Sequence, residues 1–201
     1  MENSTLPHIN LNTCSFKLYQ TGNDLFLPLL TQRNGKIRIT GLALFKEDRM
    51  VGTLKTNDFF ILKSLLEKHM LDTHTFSYGS EYFVIKNLNS KPRYLIQFKE
   101  GEPIFIITVQ MNGSIQETTG NKTLSYKYIE KIGGKIEERL NHQGRKLIKE
   151  FQAKQIDPLG LGVKYKTYYG QSQLKEWKRI YPHVKVKVYY RVTLSDTGSI
   201  D

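Results

Sequence analysis

Apolar residues return at helical spacing through the longest stretch of regular pattern in this chain. Ile129, Ile132, Ile136, Leu140, Leu147 and Phe151 fall on one stripe, with lysines and arginines opposite. Steps of three, four and seven residues predict one amphipathic helix over 125–155, roughly 45 Å long at 1.5 Å per residue. Gly133, Gly134 and Gly144 interrupt it, which points to a bend or to the close approach of another backbone. After a second, short helix around Trp177 the period changes to two. Val184, Val186, Val188, Tyr190, Val192 and Leu194 alternate with Lys185, Lys187, Tyr189, Arg191 and Thr193, which predicts a strand with one buried and one wet face.

Upstream the pattern is mainly strand-like. Leu25 to Leu30 is apolar but holds Pro28, which restricts it to an edge strand or an extended lead-in. Asn34-Gly35 is a turn signal. Lys36 to Phe45 reads as a strand whose phase changes at Gly41, suggesting a bulge. It pairs in a hairpin with Met50 to Leu54. A helix is expected over 57–69 and a polar link over 72–78. Three strands follow at 82–86, 94–98 and 103–111, with a turn at Asn112-Gly113. These elements imply an α+β fold: a predominantly antiparallel sheet from 36–54, 82–111 and 184–194, packed against the long amphipathic helix. Residues 1–35 read as a less regular lead-in or linker, and 36–198 as the domain proper.

Composition changes this picture little. The chain has 201 residues, 39% hydrophobic, enough for a core. Its net charge of +11 favours an acidic partner, anionic lipid or nucleic acid. The single cysteine, Cys14, rules out an intrachain disulfide. It follows no apolar run, so it is not a lipidation cysteine, and it is expected to be a buried small residue. No stretch approaches the ~20 apolar residues of a membrane helix.

The search for chemistry is largely negative. The five histidines are scattered and lack metal-motif spacing, and are expected at the surface. Gly160-Leu161-Gly162 follows a helix, whereas a dinucleotide loop lies between strand and helix. Glu137 and Glu138 are adjacent and diverge on the helix. Asp157 is read as structural, bonding backbone N–H groups in the turn that follows it. No catalytic residue, cofactor or metal is expected.

Three ordered segments carry a family resemblance. The first is Ile39-Thr40-Gly41-Leu42-Ala43-Leu44-Phe45-Lys46-Glu47-Asp48-Arg49-Met50-Val51-Gly52-Thr53-Leu54. The second is Phe151 to Gly162, with Asp157-Pro158-Leu159-Gly160-Leu161-Gly162 at its end, and the third runs from Trp177 to Leu194. Together, with Gly198 behind them, they resemble the C-terminal region of the Ger(x)C spore germination proteins. The resemblance marks Gly41, Phe45, Gly52, Asp157, Gly160, Gly162 and Trp177 as structural motif positions.

The resemblance also implies a non-enzymatic lipoprotein subunit of a germinant receptor on the outer face of the spore inner membrane. Its partners would be the integral membrane subunits, with an N-terminal lipid anchor absent from this chain reaching the membrane surface. No nucleic acid is expected. The candidate contacts are Lys185, Lys187 and Arg191 on the last strand and Lys131, Lys135 and Arg139 on the long helix. The alternatives are a small-ligand or enzymatic α+β domain with a pocket between sheet and helix, or a basic nucleic-acid-binding domain.

Overall fold

The computed structural model describes residues 6–120, 123–170 and 174–196. Gly198, at the end of the family-like region, lies outside them. The elements are α1 (Leu11–Tyr19), β1 (Phe26–Arg33), β2 (Lys36–Lys46), β3 (Arg49–Lys55), α2 (Phe59–Leu66), β4 (His69–Tyr78), β5 (Glu81–Lys99), β6 (Glu102–Thr118), α3 (Tyr126–Ala153), α4 (Leu161–Tyr169), α5 (Leu174–Ile180) and β7 (Lys185–Asp196). The class is α+β, with mostly antiparallel strands curled about the long helix α3.

The strands form two sheets where one was expected: β1-β2-β3, and β4-β5-β6-β7. Helix α2 follows the small sheet in the chain and precedes the large one, and its residues from Phe59 to Leu65 are all buried. Its Ser64 donates to the Ile61 carbonyl at 2.8 Å and meets the Tyr190 hydroxyl of β7 at 2.7 Å, tying α2 to the far edge of the larger sheet.

The small sheet begins with a turn at Asn34 and Gly35, both at positive φ. The phase change near Gly41 is a bulge: register shifts between Leu29 and Leu30, leaving Thr40 as the extra residue. In the large sheet, 72–78 is not a link but part of strand β4, paired with the first half of β5. Thr73, Thr75 and Ser77 suit a pleated, half-wet strand despite their polarity.

The two strands expected around Pro92 are one. β4 pairs with β5 only as far as Ser90, so Pro92 sits where that edge is open and no ladder donor is lost. Asn112-Gly113 is not a turn either. It continues β6 opposite a two-for-one bulge in β5 between Lys86 and Asn89, where a Cβ on Gly113 would meet Ile85 at 2.6 Å. β7 joins β6 in parallel, against an otherwise antiparallel order.

Helix α3 runs antiparallel to β7 and seals its outer edge. Asn141 Oδ1 accepts the Tyr190 N–H and Glu137 Oε1 the Val192 N–H, both at 2.8 Å. Further along, Gln152 Nε2 donates to the Tyr181 and Val184 carbonyls at 3.0 and 2.8 Å. Two of the helix glycines explain the closeness. Gly144 faces Val188 and Tyr190, and Gly133 faces the Val192 carbonyl, whereas Gly134 faces open space. The stripe from Ile129 to Phe151 is buried throughout. Among the histidines, His69 is buried rather than superficial and meets Phe60 edge-on, while His74 stacks on the same ring at 4.0 Å.

Candidate functional site

The inward residues of β6 and β7, among them Phe105, Ile107, Val109, Val188 and Tyr190, fill the core beneath α3. Their neighbours in sequence must therefore face outward. The registers align these outward residues in four rows across β5, β6 and β7. They are Lys91–Gln110–Arg191, Arg93–Thr108–Tyr189, Leu95–Ile106–Lys187 and Gln97–Ile104–Lys185. The sheet thus presents Lys91, Arg93, Lys185, Lys187 and Arg191 on one face, with no acid in the four rows. Leu95 and Tyr189 are exposed among them, and Ile104 and Ile106 half-buried. Strand alternation alone identifies Lys185, Lys187 and Arg191. Lys91 and Arg93 come from a strand distant in sequence, so only cross-strand register reveals them.

Lys131, Lys135 and Arg139 are exposed on α3 but do not join this face as one patch. α3 crosses β7 with Glu137 beside Val192 and Gln152 beside Val184. Lys131 and Lys135 therefore lie toward one end of the seam and Lys185 and Lys187 at the other, on the order of 20 Å of helix apart. Lys135 pairs with Glu138 at 2.8 Å, which raises the lysine pKa and lowers that of the glutamate. Arg139 donates to Ser77 of β4 at 2.9 Å. Of the cations on the sheet face, Arg191 reaches the helix, 3.7 Å from Glu137.

The motif residues converge at the far end of α3. Gly41 lies in β2, where a Cβ would meet the Leu54 carbonyl at 2.9 Å. The Phe45 N–H donates to the Leu25 carbonyl at 2.9 Å. Gly52 of β3 accommodates the Lys154 side chain, and Lys46 donates to Gln155 at 2.8 Å, so the hairpin rests on the helix end. Asp157 follows. Its Oδ1 and Oδ2 accept the Leu161 and Gly162 N–H groups at 3.0 and 2.7 Å, capping α4. Gly160, at φ 65°, makes the turn, and Gly162 is wedged between Gly22 and the indole of Trp177. Trp177 packs among Phe105, Tyr165 and Tyr181 at 5.3–5.6 Å between ring centres.

Residues from the N-terminal segment complete this junction, and nothing in their sequence context marks them. The Asp157 N–H donates to Asp24 Oδ2 at 2.5 Å, and the Asp24 N–H donates to the Asp157 carbonyl at 2.9 Å. Lys17, almost wholly buried, donates to Asn23 Oδ1 at 2.5 Å and the Pro158 carbonyl at 2.9 Å. Burial pushes Asp157 up to about 7, against the opposing pull of its two N–H donors and of Lys17. Burial also raises Asp24 and drives Lys17 down to about 8, although Asp157 and Asp24 oppose that fall.

A cleft of about 250 Å³ opens beside the junction, lined by Lys17, Asp24, Lys46, Gln155, Trp177 and Tyr181. A second, of about 320 Å³, lies between α2, β4 and α3 around Phe60, His74 and Arg139. Among the described residues no group of three or more His, Cys, Asp or Glu side chains is placed to hold a metal ion, and no helix is long and apolar enough to cross a membrane.

Comparison with known proteins adds three findings. A family model described as "Spore germination B3/ GerAC like, C-terminal" matches residues 40–198. The chain is similar to the "Spore germination protein GerQC" of Bacillus cereus, 28% identical over 205 residues, covering 98% of this chain and 56% of that protein. Its fold is similar to that in the "Crystal Structure of the GerBC protein", with a TM-score of 0.73 and 17% identity over 92% of this chain and 60% of that one. The chain thus spans between half and two thirds of the length of either relative, and the likeness to the solved structure concerns the fold alone.

Proposed function

Because the chain belongs to the spore germination B3/GerAC-like C-terminal family, we propose that it works as the C-terminal part of a non-catalytic subunit of a nutrient germinant receptor. Its role is assembly or signal coupling at the outer face of the spore inner membrane. Its partners are the integral membrane subunits of the receptor, and a lipid anchor elsewhere in the whole protein holds it at that surface. The family match over residues 40–198 carries this reading.

The outer face of β5, β6 and β7 supplies a surface suited to the role. Lys185, Lys187 and Arg191 there meet Leu95, Ile106 and Tyr189, a mixture of cations, aliphatics and an aromatic ring that fits an interface with an acidic partner. Charges at such a face chiefly steer encounter and fix register.

The test is genetic and positional. Spores lacking the encoding gene are scored for nutrient-triggered germination, then complemented with the wild type or with K185E/K187E/R191E. The expected result is a germination defect restored by the wild type and not by the charge-reversed protein, with both accumulating equally. Unchanged germination of the null spores on every nutrient tried overturns the proposal.

A further inference from the structure

The small sheet does not end where its third strand ends. β3 pairs with β2 only from Gly41 onward, while β1 and β2 continue for four more pairs: Leu30–Ile39, Thr31–Arg38, Gln32–Ile37 and Arg33–Lys36. Every residue from 30 to 40 is exposed. This part of the hairpin is an arm reaching about 13 Å beyond the body at 3.3 Å per pair.

Its two faces differ. Paired residues share a face, so Leu30, Ile37 and Ile39 stand together with Gln32 on one side, the three aliphatics 61%, 70% and 40% exposed. Arg33, Lys36 and Arg38 stand on the other. The arm holds no acidic residue. Among the described residues none of the three cations makes a hydrogen bond or ion pair. A free two-stranded ribbon is marginal in water, and uncovered aliphatics make it more so.

We propose that this arm is a membrane-surface anchor: its aliphatic face sinks shallowly into an anionic phospholipid interface while Arg33, Lys36 and Arg38 meet the headgroups. The separation of charge and apolar surface is the same physics that seats an amphipathic helix 5–10 Å deep at such a boundary. Size favours lipid over protein, because four residue pairs present far less than the roughly 800 Å² per partner of a stable protein interface. The absence of acid on the arm suits the negative potential of an anionic leaflet. The inference does not rest on the receptor reading, since it uses none of the residues of the outer sheet face.

The test uses the full chain and sedimentation with phosphatidylcholine vesicles, with or without about a third phosphatidylglycerol. Wild type is expected on the anionic vesicles only. Each cation near the surface accounts for about fivefold in partition, so removing all three in R33Q/K36Q/R38Q is expected to lose about a hundredfold. I37S/I39S is expected to lose a similar factor by leaving less apolar area to bury. K185Q/K187Q/R191Q on the sheet face is the comparison and is expected to lose less than about threefold.

An indole placed by I37W is expected to shift its emission to the blue on anionic vesicles. Because all these positions are exposed, the emission of buried Trp177 verifies in I37S/I39S and R33Q/K36Q/R38Q that the fold is kept. Three outcomes overturn the proposal. They are vesicle binding unaffected by either arm variant, binding carried by the sheet-face cations instead, and arm-dependent binding to polyglutamate without vesicle partition, which would place an acidic polypeptide there.

Discussion

Gly162→Ala tests the junction at its tightest point. A Cβ built on Gly162 stands 2.4 Å from Trp177 Nε1, 2.5 Å from its Cδ1 and 2.6 Å from the Gly22 Cα. Carbon atoms rest at about 3.5–4.0 Å, so roughly 1 Å must be found on two sides at once. Neither side yields easily. The indole is held by Phe105, Tyr165 and Tyr181, and the Gly22 segment is clipped to the α4 turn through Asp24 and Asp157. Overpacking costs about 1–3 kcal/mol and sometimes more, and two rigid walls put this site at or above the top of that range.

Replacing glycine within a helix returns about 1 kcal/mol, leaving a net loss of about 2–3 kcal/mol. For a chain of this size that is about 5–10 °C in Tm. Gly134→Ala is the paired control: nothing lies within 4 Å of its Cβ, so only the helix gain of about 1 kcal/mol remains. Urea unfolding followed by the emission of Trp177, the single tryptophan, reads both changes. The midpoints are expected to move in opposite directions at an unchanged slope. A Gly162→Ala protein as stable as wild type would show that Gly22, Gly162 and Trp177 are not packed as described.

Two other expectations concern buried polar groups. Asp157 titrates near 7 in the folded state instead of its ordinary 3.8, so between about pH 4 and 7 the native state keeps a proton that the unfolded chain has lost, and stability falls as pH rises. Lys17 is the mirror case: between about pH 8 and 10.5 the unfolded chain holds the extra proton, and stability rises with pH. Denaturation series are expected to show a minimum near pH 7–8, with D157N flattening its acid branch and K17M its alkaline branch; parallel curves for all three proteins would refute the assignment. At the Ser64–Tyr190 contact, Ser64 already donates to the Ile61 carbonyl, so the tyrosine hydroxyl is the donor. S64A strands that buried hydroxyl and is expected to cost about 1–3 kcal/mol, more than Y190F, which removes it; the reverse order in urea midpoints would contradict the geometry.

What could be read from sequence was what one element determines by itself. The α3 stripe and the β7 alternation each repeat over many residues, and both are found where their patterns put them. The polar strand β4 looked like a link because Thr73, Thr75 and Ser77 lower its apolar content, though β-branched residues suit a pleat. α1 and α4 carry weak amphipathic signals and begin instead at side-chain caps close in sequence, Asn10 on the Thr13 N–H and Asp157 on the Leu161 and Gly162 N–H groups, while the tertiary seating of Lys17 on the Pro158 carbonyl was not legible.

Asn112-Gly113 has turn chemistry, yet its glycine serves close approach to Ile85. The outer sheet face was half legible, since alternation shows which residues of β7 point outward but not that Lys91 and Arg93 stand beside them. Placing Lys131 and Lys135 relative to Lys185 required the direction in which α3 crosses β7. The buried partners Lys17 and Asp24 had no local signature at all.

The parallel pairing of β6 with β7 has a kinetic meaning. Each antiparallel neighbour in the large sheet is reached through a tight turn, but β7 arrives only after α3, α4 and α5 have been traversed. The chain entropy of closing that excursion must be met before the β6–β7 ladder returns anything, so β7 is expected to be the slow step of folding. Until it docks, one edge of β6 is bare and Asn141 and Glu137 have no strand to receive, a species prone to pair with its neighbours. Once β7 covers β6, the same two side chains close the outer edge of β7 in turn, and the route to intermolecular strand exchange closes with it.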